Sequence, residues 1–306
     1  MKIIIASSSR VAIPIILELE SSTKHQLSAV ITNPDKATGR GQLLEPNELA
    51  AWCQEKKLKV FKPENTKELS QMVSDGGADL AITIAYGHLI PEELLQVTRY
   101  GWLNVHFSLL PKWRGAAPVQ HSILHGEKLT GITIFKLDRG MDSGPIYLKE
   151  SVNISDSDST DSLLERMSVI GAKLAFDAIK LVEQGVGPTP QELVGVSFAP
   201  KFSKEDGKLN WNLEVGTLFN RYRALSQNPG VWSNLGQTRI KIDAMRISYT
   251  SHVIKPGELL IHQEKMLVGA KNGVIEIERL TPAGRNQMSA AEFVRGLPQK
   301  SGLTLG

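Results

Sequence analysis

Cysteine is almost absent from this 306-residue chain: Cys53 stands alone, so no disulfide can form within it. That suits a reducing cytoplasm. A chain of this length can bury enough apolar surface to fold without a covalent or metal staple. Long apolar runs are missing too. None approaches the roughly 20 residues of a membrane-spanning helix, so no membrane partner is expected. The N-terminus reads Met1-Lys2, three isoleucines, then Ala6-Ser7-Ser8-Ser9-Arg10. Its apolar stretch is too short for a signal peptide and reads as a buried first strand. Familiar catalytic patterns are incomplete. Ser7-Ser8-Ser9 lacks the Gly-x-Ser-x-Gly elbow of a nucleophilic serine. Gly39-Arg40-Gly41 lacks the third glycine and the helix that a dinucleotide fingerprint requires. His121 and His125 have ligand-like spacing, but Ser122 stands where a zincin needs glutamate, so no metal is expected. Cys53, beside Trp52, reads as a small core residue.

What is present is an uneven charge. The formal net charge is +3. Residues 1–200 carry 20 Lys+Arg against 23 Asp+Glu, whereas the remainder carries 15 against 9. A basic second half suits a polyanionic partner. A plain basic surface without a partner gives the same count.

The first half alternates strand and helix patterns. Short apolar runs at residues 3–6, 27–32, 80–85 and 103–107 lie among helical stretches. Such runs suit parallel strands covered on both faces. Repeated βα units of this kind build an open, doubly wound, mostly parallel Rossmann-like sheet. Residues 132–137 and 146–152 read as two further strands. Residues 160–182 read as a long helix with Thr160 as its cap, Ser162 with Glu165 being a second candidate start. Gly185-Val186-Gly187-Pro188 ends that helix. Beyond residue 205, strand-like pieces at 239–242, 257–261, 266–270 and 274–280 suggest a small OB-like β-barrel, with residues 215–225 as its one clear helix. The expected division is a catalytic domain over 1–189, a linker over 190–205 and a β-barrel domain over 206–306.

The informative segment is Leu103-Asn104-Val105-His106-Phe107-Ser108-Leu109-Leu110-Pro111. Residues two apart in a strand share a face, so Asn104 and His106 project together. Polar side chains in a strand buried on both faces need either satisfied partners or a chemical role. They also stand at the strand's carboxyl end, where open α/β sheets bind ligands. A carboxamide and an imidazole could hold the oxygen of a tetrahedral intermediate. A carboxylate to orient the imidazole is offered by Asp138 or Asp142, in a Gly-rich turn where aspartate often serves only its own backbone.

The stretch Asn104-Val105-His106-Phe107-Ser108-Leu109-Leu110-Pro111-Lys112-Trp113-Arg114-Gly115-Ala116-Ala117-Pro118 resembles the signature of the methionyl-tRNA formyltransferases. So do Gly131-Ile132-Thr133 and Asp138-Arg139-Gly140-Met141-Asp142-Ser143-Gly144. Near the C-terminus, Pro282-Ala283-Gly284-Arg285 and Phe293-Val294-Arg295-Gly296 resemble the family as well. The first motif with a later aspartate is shared by folate formyltransferases generally, including those acting on small amines such as sugar nucleotides. This sequence departs from the family at Ser7-Ser8-Ser9, at Ala37 and at Lys112.

The resemblance implies a catalytic trio of Asn104, His106 and Asp142, with Asp142 holding His106 protonated. It implies 10-formyltetrahydrofolate as co-substrate and no metal. Folate would lie against Ser108, Leu109, Leu110 and Pro111, with Tyr86, Gly87, Gly140 and Met141 as further pocket walls. With no oligomer signal in the sequence a monomer is the default expectation, and the lone cysteine suits the cytoplasm. Initiator methionyl-tRNA is the implied partner. Lys36 and Arg40 of an inserted loop would approach its acceptor end. Lys204, Lys208, Arg221, Arg223 and Lys241 are the basic candidates for its phosphates.

Overall fold

The structure, a computed structural model, describes residues 1–38 and 42–306. The expected contact at Arg40, with Gly39 and Gly41, lies outside the described residues. The chain forms two compact units. The first comprises Met1–Pro118, Leu129–Asn153 and Ser162–Pro200; the second comprises Val119–Lys128, Ile154–Asp161 and Lys201–Gly306.

In chain order the elements begin β1 (Lys2–Ala6), α1 (Ile13–Ser21), β2 (Gln26–Ile31), a hairpin of β3 (Lys36–Thr38) and β4 (Leu43–Glu45), and α2 (Glu48–Glu55). They continue through β5 (Val60–Phe61), α3 (Thr66–Asp75), β6 (Leu80–Thr83), β7 (Trp102–His106), α4 (Pro118–Leu124), β8 (Leu129–Lys136), β9 (Ile146–Asn153) and α5 (Thr160–Glu183). The seven-stranded sheet runs β5-β2-β1-β6-β7-β8-β9. Pairing is parallel from β5 to β7 and antiparallel across β7, β8 and β9. This is the doubly wound, mostly parallel sheet that the βα alternation implied.

Register explains where the polar pair points. Ile4, Ala81 and Trp102 align across β1, β6 and β7, and so do Ala6, Thr83 and Asn104. Ile4, Ala6, Ala81 and Trp102 pack with Leu69 and Val73 of α3 in one buried cluster. Asn104 and His106 continue that face toward the strand's carboxyl end, past the apolar layer. On the other face α5 comes close at Gly171. A Cβ there would stand 3.1 Å from Val105 Cγ1, so a larger residue would push the helix off the sheet.

Caps hold the shorter helices. Asn47 and Asn65 accept from backbone N–H groups in the first turns of α2 and α3. The expected cap of α5 differs. Thr160 is already the first helical residue, and its hydroxyl donates to the Ala224 carbonyl at 2.8 Å.

The second unit contains α6 (Val215–Leu225), β10 (Val231–Leu235), β11 (Thr238–Ser248), β12 (Glu258–His262), β13 (Lys265–Ala270), β14 (Gly273–Pro282), β15 (Met288–Ser289), α7 (Ala290–Arg295) and β16 (Leu303–Thr304). Its sheet runs β10-β11-β14-β13-β12-β16. Leu235 bridges Leu305, and Asn234 and Gly306 exchange backbone hydrogen bonds of 3.1 and 3.0 Å, which closes the sheet into a barrel. One expectation needs correction: α6 is not the only clear helix. The α7 helix starts at a reciprocal capping box in which Ser289 and Glu292 satisfy each other's backbone N–H.

Candidate active site

The loop after β7 is shaped from inside. The buried Thr133 hydroxyl of β8 donates to the Ser108 carbonyl at 2.7 Å and accepts from the Leu110 N–H at 3.1 Å. Ser108 Oγ donates to the Lys112 carbonyl at 2.5 Å. Trp113 then takes a left-handed backbone (φ +60°), which turns its carbonyl back onto His106 Nε2 at 2.9 Å. A carbonyl only accepts, so Nε2 carries a proton and donates.

The other ring nitrogen, Nδ1, faces Asp142 Oδ2 at 3.7 Å. Asp142 is itself left-handed (φ +49°), and its Oδ2 accepts from the Gly115 N–H at 2.7 Å. Gly115 has φ +123°, and a Cβ there would lie 2.8 Å from the Ala199 carbonyl oxygen, so glycine is required. Two residues before His106 on the same face, Asn104 is half-buried. Among the described residues no hydrogen bond engages its carboxamide. The three side chains named from the sequence thus share one corner of the sheet. Two surface clefts of about 510 and 370 Å³, one lined by Met1 and His25, the other by Glu92 and by Asp138 and Arg139 of the Asp142 turn, are lined by none of the trio.

Burial decides the charge of His106. Its side chain is 5% exposed. Loss of water pushes its pKa down, against the smaller opposing pulls of Asp142 and the Trp113 carbonyl. The resting imidazole is therefore neutral, with a proton on Nε2 and a lone pair on Nδ1 aimed toward Asp142. Burial thus works against the expected role of Asp142 in holding His106 protonated, and Asp142 against burial.

A stability prediction follows. Above the ordinary histidine pKa of about 6.5, folded and unfolded chains both hold His106 neutral. Below it the unfolded chain gains a proton that the folded chain refuses. Stability therefore falls with falling pH, from 6.5 toward the lower folded value, by up to about 1.4 kcal/mol per pH unit for one such group. His25, lowered mainly by burial, acts the same way. Urea unfolding between pH 7 and 5.5 should show a shallower slope for His106→Gln than for the parent; equal slopes would contradict the neutral buried ring.

The expected folate residues divide. Ser108, Leu110 and Pro111 are buried and build the loop, whereas Leu109 is half-buried. Tyr86 is 6% exposed and belongs to the core cluster beneath the sheet's end. Gly87, Gly140 and Met141 are exposed. Among the basic residues, Lys36, Lys204, Lys208 and Lys241 are exposed. Arg221 donates to the Asp206 carbonyl. Arg223, expected among the phosphate contacts, is only 6% exposed and donates to the Ser155 and Asp158 carbonyls and to Asn220 Oδ1.

Other parts of the site lie outside the candidate set. Trp113 and Gly115 act through backbone groups, and Thr133 works from a neighbouring strand. Gln191 donates to the carbonyls of Asp142 and Gly144, both at 2.8 Å, and accepts from Arg114 at 2.6 and 3.2 Å. Residues through Pro200 belong to the first unit. Much of the segment expected to be a linker therefore folds with the trio.

The family described as Formyl transferase matches residues 1–179, and Formyl transferase, C-terminal domain, matches residues 201–298. A methionyl-tRNA formyltransferase of Salinispora tropica is 35% identical over 308 residues, covering 100% of both chains. Among solved structures, HypX from Aquifex aeolicus in complex with tetrahydrofolic acid superimposes with a TM-score of 0.70 at 17% identity. The match covers 97% of this chain, which spans about half of HypX (48%). WlaRD, a sugar 3N-formyl transferase solved with dTDP and 5-N-formyl-THF, gives 0.65 at 16% identity, over 94% of this chain and 99% of its own. Full-length likeness above 30% identity, with both family domains in order, establishes that the chain belongs to the formyl transferase family, among the methionyl-tRNA formyltransferases.

Proposed function

We propose that this chain transfers a formyl group from 10-formyltetrahydrofolate to the amino group of initiator methionyl-tRNA. The observation that carries the reading is the unpartnered Asn104 carboxamide on the same strand face as the buried His106, whose Nδ1 faces Asp142 at 3.7 Å. The site suits a folate-borne formyl group, because a half-buried amide without a protein partner offers its N–H donors to a carbonyl oxygen. The folate supplies an activated formyl carbon. Asn104 donates to the formyl oxygen as attack by the amine gives it negative charge. His106 Nδ1 takes the proton released by the attacking amine, and Asp142 stabilises the resulting imidazolium at 3.7 Å. The same nitrogen returns that proton to the departing nitrogen. One C–N bond forms, one breaks, and no proton is lost.

The basic second unit supplies the affinity for tRNA. Lys208 Nζ lies 5.6 Å from the centre of the Trp232 ring, and Arg239 Cζ lies 3.6 Å from it. Lys241 is the ladder partner of Trp232, whose indole N–H donates to the Lys204 carbonyl at 2.9 Å. Lys208 and Arg239 stand over the ring, Lys204 adjoins it through its backbone, and the Lys241 ammonium is paired with Asp243 at 2.9 Å. Releasing about three counterions on binding phosphates there predicts a loss of roughly 40-fold in tRNA affinity between 50 and 200 mM salt. A formyl-transfer assay measuring KM for tRNA across that range checks it, with KM for folate as the control. A flat KM for tRNA removes the patch from the reading. Formylation of an amino sugar nucleotide, but not of charged tRNA, would instead overturn the proposed acceptor.

A further inference from the structure

The residues just before Pro200 touch both loops that carry the trio's supports. Thr189 exchanges backbone hydrogen bonds of 2.9 and 2.7 Å with Ile146, just beyond the Asp142 turn. Ser197 Oγ accepts from the Trp113 N–H at 2.9 Å, and the Ser197 carbonyl accepts from the Arg114 N–H at 2.9 Å. Ala199 donates to the Arg114 carbonyl at 2.7 Å and accepts from Ala117 at 3.1 Å. Between these anchors stands Gln191, whose carboxamide is fully engaged. Its NH₂ group spans the Asp142 and Gly144 carbonyls while its oxygen takes the Arg114 guanidinium.

We propose that Gln191 is a positioning residue for formyl transfer, a crosspiece that fixes the left-handed turn at Asp142 against the Trp113–Gly115 loop. Two features of the turn require such a brace. Asp142 holds a positive φ, a backbone state that non-glycine residues keep only when their surroundings impose it. Its carboxylate also works at 3.7 Å from His106, too far to be anchored by the imidazole itself. The Gly115 N–H fixes one carboxylate oxygen, and Gln191 fixes the backbone behind it. Arg114 is drawn into the same unit, its guanidinium donating to the neutral Gln191 carboxamide. Gln191 has no expected contact with substrate and acts only through Asp142.

This inference rests on the proposed acyl transfer, but one arm of its test does not. Gln191→Met keeps the length of the side chain without hydrogen bonds or charge. Misplacing Asp142 should lower kcat by about 10- to 100-fold, with KM for folate and for tRNA changed less than about threefold. In an Asp142→Asn background the same substitution should cost less than about twofold, because the group it serves is already gone. Independently of activity, the His106 ring followed by NMR should titrate at lower pH in Gln191→Met than in the parent, in the same direction as in Asp142→Asn. Unchanged kcat together with an unchanged His106 titration overturns the proposal, and so do equal losses of kcat in both backgrounds. Gln191→Ala gives the same readouts if the methionine does not fit. A parent enzyme inactive in formyl transfer, whose His106 titration still responds to Gln191, would sink the activity and leave the brace standing.

Discussion

His106→Ala is expected to lower kcat by about 10²- to 10⁴-fold, the range for loss of a positioned general base. KM for tRNA should barely move, because the basic patch around Trp232 is remote in sequence and lies in the second unit. The size of the effect follows from the ring's surroundings. The His106 ring is buried, with Nε2 tied down by the Trp113 carbonyl, which leaves Nδ1 as the nitrogen that would accept a proton in the proposed transfer. Alanine also removes that hydrogen bond, so lost stability must be separated from lost chemistry. His106→Gln serves here, since it retains an amide donor for the Trp113 carbonyl but cannot take up a proton. Turnover of His106→Gln within tenfold of the parent would remove proton transfer from the ring's role. Asp142→Asn tests the same step from the other side. The carboxylate raises the pKa of His106 against burial, so its loss should move the acid limb of the pH–rate profile to lower pH while kcat falls.

Much of the fold was legible because both of its periodicities are local. Ile3, Ile4, Ile5 and Ala6 are all fully buried, which is why the parallel strands read as unbroken apolar runs. The parity of Trp102, Asn104 and His106 likewise placed two polar side chains on one face. What the sequence withheld is tertiary. Nothing in the Gly-rich turn at 138–144 chooses Asp142 over Asp138 without the resemblance. Asp138 turns out to accept from the Gly140 N–H at 2.9 Å and from Ser143, the local backbone role expected of such a residue. Gln191 lies 49 residues from the carbonyl it holds. Arg223 was named among the phosphate contacts by residue type alone, yet two backbone carbonyls and Asn220 hold its terminal nitrogens in the interior. The capping box at Ser289 and Glu292 could have been found, since its spacing is visible in the chain. The six-residue α7 that it starts was hidden among strand patterns.

Asn104→Ala separates function from stability most cleanly. A buried polar group that bonds within the protein costs stability when removed, because its partner is stranded. Asn104 has no such partner to strand, so the substitution should leave the urea midpoint unchanged or raise it slightly. The same substitution deletes one donor aimed where negative charge develops, a loss of about 10²- to 10³-fold in kcat in comparable sites. Folate binding should change little, since the amide matters most when the carbonyl oxygen becomes an oxyanion rather than in the ground state. Asn104→Asp sharpens the test. It keeps the shape but replaces a donor with a negatively charged acceptor, so its activity should fall below that of the alanine variant. Its added charge beside His106 should also raise the imidazole pKa. A stable Asn104→Ala with near-parental turnover would show that the free carboxamide is a bystander, and the oxyanion would then need another donor among the backbone N–H groups of the loop after β7.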